Sequence, residues 1–451
     1  MVQMTTEQAI EKSKKWCLHG WGFIPIAVDS GKGAVFKDLN GKEYLDFLSQ
    51  TAGVLGIGHS HPKMVAAVKE QVEKIQHVLT GFVIPSRAVF AEKLAAVAPP
   101  PLTNNCMMYI ANGGSEANET ALKMAMLITG KKEVISQYHA YHGGTLALMG
   151  LLAQAPHRKG FLRYPGFHNI PATPYCYRCY QGQKYPNCDH ECARQLEYHL
   201  KWGVEQDSVA AFIQEPITGN GGHMGPNDNN HNGEPDKTYH KIIRETCDKN
   251  DVLYISDEVQ CGMGRMGKNW GCMVYDMKPD IFTTAKALGG GLPVSAAVIR
   301  KDLVPENMKE AQWHIFTMGG SPITMAAGIA ALDVLVEEKL AEKAKTQGER
   351  IYKVLKEWET KHKSVGEVRG EGLFIGIELV KDKKTKEKAI DAAGAVFSKC
   401  LEKGLLLGVS AVGGWGNVLK LKPPLATPAD QLDKGIEIIE AALTEVEKTM
   451  N

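Results

Sequence analysis

Hydrophobic and polar positions alternate with period two near the start of the chain and then take up the longer period of helices. Residues 21 to 48, WGFIPIAVDSGKGAVFKDLNGKEYLDFL, alternate around Gly31-Lys32-Gly33 and Asn40-Gly41. This pattern predicts short antiparallel strands joined by glycine turns. The segment HPKMVAAVKEQVEKIQHVL carries apolar residues at helical spacing behind a proline in its first turn, which marks a helix start. Beyond residue 105 the pattern repeats as strand and helix. CMMYIA, EVISQY, VAAFIQE, VLYISDE and PVSAAVI are apolar runs of strand length, separated by helical stretches such as SEANETALKMAMLITG.

Strands that are apolar on both faces and joined by helices predict an α/β architecture on a mostly parallel, doubly wound sheet. Ligands of such sheets sit beyond the carboxyl ends of the strands, where Gly114, Glu215, Asp257 and Lys286 all fall. From about residue 325 a long helical stretch, TMAAGIAALDVLVEEKLAEKAKTQGERIYKVLKEWETKH, leads into a second alternating region. That region holds VGEVRGEGLFIGIELV, GLLLGV and NVLKLKPPL and closes on an amphipathic helix. The expected division is a large domain over 61–325 and a small α+β domain over 326–451, joined by segment 1–60.

Composition removes several function classes. Lys and Arg number 52 against 51 Asp and Glu, so no net field draws the chain to nucleic acid or anionic lipid. No apolar run reaches the ~18 residues of a membrane span. The opening MVQMTTEQAIEKSKKW is polar and charged; it reads as an amphipathic helix rather than a signal peptide, and the expected location is the cytoplasm. Six scattered cysteines (Cys17, Cys106, Cys247, Cys261, Cys272 and Cys400) read as small buried hydrophobes in a reducing compartment.

The chemistry concentrates in VLYISDEVQCGMGRMGKNWGC and PDIFTTAKALGGGLP. The first puts Asp257 at the end of an apolar strand, and the second delivers Lys286 into a glycine-rich turn. An acid and a lysine at neighbouring strand tips suit pyridoxal phosphate: the carboxylate keeps the pyridine nitrogen protonated and the amine forms a Schiff base. Alone, Asp257 reads equally as a helix cap and Lys286 as a solvated charge, but a charge at the end of a buried strand is costly unless it is used. Asn112-Gly113-Gly114-Ser115-Glu116 opens a helix whose first N–H groups suit a phosphate. Tyr141, in YHAYHGGT, suits stacking on a flat ring, or a place in the core.

Together NGGSEANETALKMA, YHAYHGGT, FIQEPITGNGG, ISDEVQCGMGRMGKNWG, PDIFTTAKALGGGLP and FTMGGSP resemble the class III (omega-type) aminotransferases of pyridoxal-phosphate fold type I, over nearly the whole chain. The resemblance implies a seven-stranded, mostly parallel large-domain sheet with flanking helices. It implies Lys286 as Schiff-base lysine and proton carrier, Asp257 on the ring nitrogen, Gln260 near the ring hydroxyl and Tyr141 on the ring face. It implies Gly114 and Ser115 at the phosphate, with His142 and Glu215 also at the cofactor. Thr317 would reach the cofactor of a neighbouring subunit in a homodimer or a dimer of dimers. Trp21, Phe23, Gln50 and Lys420 are the candidates for the substrate side, Trp21 and Phe23 reading equally as core. The implied reaction moves an amino group from an amine or amino acid to a 2-oxo acid such as pyruvate or 2-oxoglutarate.

Three departures qualify that picture. Many members carry arginine where NVLKLKPPL has Lys420, and lysine lacks the planar fork that binds a carboxylate bidentately. The same ending resembles class III phospho-lyases, which keeps elimination from an amino-phosphate or amino-phosphonate as the alternative reaction. In CYRCYQGQKYPNCDHEC, Cys176, Cys179, Cys188 and Cys192 have the paired spacing of a structural zinc knuckle; reduced packing thiols and disulfides stay open as readings. The polar loop GGHMGPNDNNHNGEPDKTYHK reads as a solvated connector or a cover for the substrate entrance. A non-catalytic scaffold that binds a partner through the cysteine loop is disfavoured by the intact Lys286 and Asp257.

Overall fold

The alternating N-terminal region folds into the antiparallel strands Val28–Lys32, Val35–Asp38 and Glu43–Asp46. Gly33 and Gly41 turn between them at φ of 60° and 82°, which only glycine adopts freely. The computed structural model describes residues 4–20, 22–226, 238–410 and 416–450. Trp21 and the centre of the polar loop after Gly225 therefore lie outside the described residues.

The strand–helix repeats build a seven-stranded sheet. Its order is Cys106–Ala111, Ser295–Arg300, Ile281–Thr284, Leu253–Asp257, Val209–Gln214, Glu133–Gln137 and Phe167–Ile170. Ser295–Arg300 runs antiparallel to both neighbours, and the remaining pairs are parallel. Every residue of Val209–Gln214 and Ile281–Thr284 is buried, as expected for strands covered by helices on both sides. Phe167–Ile170, too short and polar to stand out in the sequence, closes one edge.

The C-terminal region forms a second antiparallel sheet from Val365–Glu371, Phe374–Leu379, Val418–Leu421 and Gly408–Val409. Leu405–Leu406 leaves it to pair in parallel with Leu45 and Asp46, so the two ends of the chain share a layer. The long helical stretch after residue 322 is two helices, Pro322–Glu337 and Leu340–Lys361. The break falls at Lys339, which takes the left-handed conformation (φ 52°). The helix predicted over HPKMVAAVKEQVEKIQHVL ends early, at Lys74, where Ile75 turns to extended backbone. The N-terminal helix, Thr6–Trp16, starts at a capping box made by Thr5 and Gln8. Among the described residues no helix is long and apolar enough to cross a membrane. Cys247, Cys261, Cys272 and Cys400 are buried as expected, but Cys17 is exposed and Cys106 half-buried, because Cys17 caps an exposed helix.

Helix Leu340–Lys361 meets the hairpin at Gly372 so closely that a Cβ on Gly348 would stand 2.2 Å from the Gly372 carbonyl oxygen. Gly348→Ala is expected to lower stability by about 1–3 kcal/mol, although alanine gains about 1 kcal/mol of helix propensity. A denaturant midpoint at or above wild type would show that the helix shifts freely.

Candidate active site

Asp257 ends strand Leu253–Asp257 and is 2 % exposed. Its carboxylate is held by three donors. Oδ2 accepts from His142 Nδ1 and Asn118 Nδ2, each at 2.8 Å, and Oδ1 accepts from the Val259 backbone at 3.0 Å. Each donor is fixed in turn. His142 Nε2 lies 2.9 Å from Ser136 Oγ, and Thr283 Oγ1 donates to Asn118 Oδ1 at 2.6 Å. The buried carboxylate is thus oriented by groups from the helix Gly114–Thr129, two strands and the segment after Gln137, and its cost of burial is offset by charge-assisted bonds.

Lys286 lies beyond strand Ile281–Thr284 and opens a tight turn at φ 48°, a strained conformation for a non-glycine residue and one that recurs at functional sites. Burial lowers the pKa of its amine below the ordinary 10.5, with Asp257 and Glu215 opposing that shift. A lowered pKa leaves more of the neutral amine that acts as nucleophile and base. Glu215, just past strand Val209–Gln214, accepts from the backbone N–H of Tyr141 at 3.0 Å and of Gly219 at 2.7 Å. Burial and then the charge of Asp257 raise its pKa above the usual carboxylate range.

A cavity of about 470 Å³ brings most of the expected residues together: Gly114, Ser115, Tyr141, His142, Glu215, Asp257, Gln260 and Lys286 all line it. At one end the helix Gly114–Thr129 presents its first turn without a side-chain cap, leaving N–H groups for an anion. A Cβ on Gly114 would come within 2.9 Å of Val259 Cγ1, and one on Gly143 within 2.4 Å of Ser115 Oγ. Both glycines therefore let backbone close around this end. An uncapped helix start, a lysine and a buried carboxylate in one cavity match the phosphate, aldehyde and ring nitrogen of pyridoxal phosphate. His142 both lines the cavity and hydrogen-bonds Asp257.

A second cavity of about 1290 Å³ shares Tyr141, Gln260 and Lys286 with the first and is walled by Phe23, Ile24, Ile26, Leu406 and Val409, with Lys420 also on its lining. Lys420 is buried, and burial pulls its ammonium down to about 8 while Glu215 opposes the shift. Gln50, expected on the substrate side, lines neither cavity; Thr51 and Ala52 take its place. The reason is a left-handed turn over Ser49–Gly53, in which all five residues have positive φ. Thr317 is exposed and does not line this chain's own cavity. Asn118, Ser136 and Thr283 were not anticipated as site residues; the one sequence signal for them is position on the buried strands and helix facing Asp257.

The four clustered cysteines line one small cavity of about 20 Å³. Of the three readings open for them, zinc gains no support here: among the described residues no group of three or more His, Cys, Asp or Glu is placed to hold a metal ion. Burial and the adjoining thiols push the Cys192 thiol upward, which favours the protonated form and fits packing thiols. The loop is tied to the rest of the molecule on two sides. Tyr180 hydrogen-bonds and stacks on His139, two residues before Tyr141, while Arg178 Nε donates to Glu378 Oε1 at 2.7 Å.

Comparison with known proteins places this geometry. The model of the class III aminotransferases matches residues 19–443. A leucine/methionine racemase of Thermococcus litoralis is 34% identical over 94% of this chain and 92% of its own length. An acetylornithine aminotransferase of Methanocaldococcus jannaschii is 33% identical over 99% of this chain and 100% of its own. The PMP-bound aminotransferase crystal structure from Vibrio fluvialis superposes with a TM-score of 0.88 at 27% identity, covering 98% of this chain and 99% of that one. With fold, cavity and relatives in agreement, the chain belongs to the class III aminotransferase family of pyridoxal-phosphate enzymes of fold type I.

Proposed function

We propose that this chain transfers the amino group of an amino acid with an apolar side chain to a 2-oxo acid such as pyruvate or 2-oxoglutarate. The observation that carries the reading is the shared wall: Lys286 faces both the cavity that fits the cofactor and the larger apolar one. Bound there, pyridoxal phosphate supplies an aldehyde for amine exchange and a protonated ring that delocalises the electron pair left at the substrate α-carbon. Lys286 Nζ would take the proton from the substrate α-carbon and give it to the carbon of the cofactor's aldehyde group, and Asp257 would hold the proton on the ring nitrogen. Gly114 and Ser115 bind the phosphate, and Tyr141 covers the ring face. Lys420 meets the substrate carboxylate as a point charge, and Phe23, Leu406 and Val409 surround its side chain. The active form is a homodimer in which Thr317 reaches the neighbouring subunit's cofactor; the exposure of Ile315 (69 %) and Met318 (51 %) beside it supports this.

The test is a half-reaction. The purified holoenzyme is mixed with leucine, isoleucine or methionine and no oxo acid, and the cofactor spectrum is followed. Conversion to the amine form, reversed by pyruvate or 2-oxoglutarate, is the expected result. The racemase relative at 34% identity supports a second reading, inversion at the α-carbon. Exchange of the α-hydrogen in D2O with inversion and no amine form would select it. Ammonia release from an amino-phosphate without amine form would instead select elimination.

Lys420 gives a further prediction, because its pKa is about 8 in the fold against an ordinary 10.5. Between those values the unfolded chain holds a proton that the folded chain has released, so this residue's contribution to stability improves as pH rises there and is least favourable below about pH 8. Lys420→Met is therefore expected to stabilise the apo-protein at neutral pH by roughly 1–3 kcal/mol, with the advantage shrinking in alkali. The same variant is expected to raise KM for the amino acid about tenfold. Urea midpoints across pH and steady-state kinetics check both parts.

A further inference from the structure

Lys422 stands two residues beyond Lys420 and is 1 % exposed, one of the largest fully buried side chains in the molecule. Its Nζ donates to Gln260 Oε1 at 2.7 Å and lies 4.4 Å from the centroid of the Phe374 ring. The Gln260 amide lies against Gly219, where an added Cβ would stand 2.4 Å from Cδ and 2.6 Å from Nε2. Gln260 lines both cavities, and among the described residues Lys422 is the hydrogen-bond partner its amide has.

A carboxamide is nearly symmetric in shape, and its neighbours decide which end faces where. Lys422 Nζ donates to the oxygen end of that amide. With Lys422 on Oε1, the NH2 end of Gln260, a residue that lines both cavities, is left to donate elsewhere. We propose that Lys422 is a positioning residue for the reaction: it holds Gln260 so that Nε2 is presented as a donor to the ring oxygen of the bound cofactor, beside Lys286. Lys422 touches neither cofactor nor substrate in this role. It acts through Gln260, and Phe374 and Gly219 complete the clamp. A donor aimed at that oxygen stabilises its anionic form, so the ring's proton equilibrium is set from a residue outside the cavity. The inference rests on the reading that pyridoxal phosphate occupies the smaller cavity.

The experiment compares wild-type holoenzyme with Lys422→Met and Lys422→Arg, each also in a Gln260→Ala background. Methionine keeps the stem over Phe374 and removes the donor, while arginine restores one. The readouts are the pH midpoint of the bound cofactor's visible absorbance change, the Kd of apo-protein for pyridoxal phosphate, and kcat and KM. Lys422→Met is expected to raise the midpoint by about one pH unit and lower kcat about tenfold with KM within about twofold. Lys422→Arg is expected to recover most of both effects, and the loss is expected to vanish in the Gln260→Ala background. A midpoint and kcat unchanged in Lys422→Met overturn the proposal, as does a loss that persists in full without Gln260. A wild-type protein that shows no cofactor absorbance overturns the reading of the cavity itself, and this proposal with it. Equal circular dichroism and melting across the variants separate these outcomes from misfolding.

Discussion

A carboxylate buried at the end of a strand needs donors, and the demand of Asp257 organises the centre of this molecule. Three separate parts of the chain answer it: Asn118 from a helix, His142 from the strap after Gln137, and the backbone of Val259. None can move alone, because Thr283 holds Asn118 and Ser136 holds His142. The strap is therefore pinned, and with it Tyr141, whose backbone N–H is further tied to Glu215. A network so connected has little freedom to relax, which is what a site that must fix a planar ring requires.

The other side of the site is made by buried lysines beside a strained turn. Lys286, Lys420 and Lys422 are brought close, and the nearness of the other two adds to the burial that depresses Lys422 far below its ordinary range. The wall opposite is the left-handed turn at Ser49–Gly53, anchored where Ser49 Oγ donates to the Lys422 carbonyl at 2.6 Å. Arg265 braces the same corner through Ser49 Oγ and the carbonyls of Leu373 and Pro423. Buried cations and left-handed backbone each cost stability, and here they share a corner that the large apolar core around it can support.

How much of this was legible in the sequence depended on whether a feature is local. Asp257, Lys286 and the turn at Gly114 stand out because a charge or a glycine pair interrupts an apolar run, and all line one cavity. The antiparallel strands before residue 48 were marked by glycine turns. The break at Lys339 and the turn at Ser49–Gly53 were not legible, since neither uses glycine for most of its positive-φ positions and both are imposed by packing. Gln50 is expected on the substrate side, whereas the left-handed backbone brings Thr51 and Ala52 to the cavity instead. Asn118 and Lys422 escaped notice because their importance comes from partners 139 and 162 residues away. The cysteine spacing left zinc, packing thiols and disulfides all open, because spacing says nothing about where four sulfurs point.

The pairing of Leu405–Leu406 with Leu45–Asp46 has a consequence for the order in which this protein is made. The first strands emerge early in synthesis, yet their partner follows about 360 residues later. Phe47 waits likewise for the backbone N–H of Lys422, and Gly56 for that of Leu425. Contacts of such long sequence separation carry a large loop-closure cost and form late. The seven-stranded sheet can assemble on the nascent chain, but the substrate wall stays open until residues 405–425 have emerged. During that interval the strand edge at Leu45 is unpaired, which is when this chain most needs protection from aggregation.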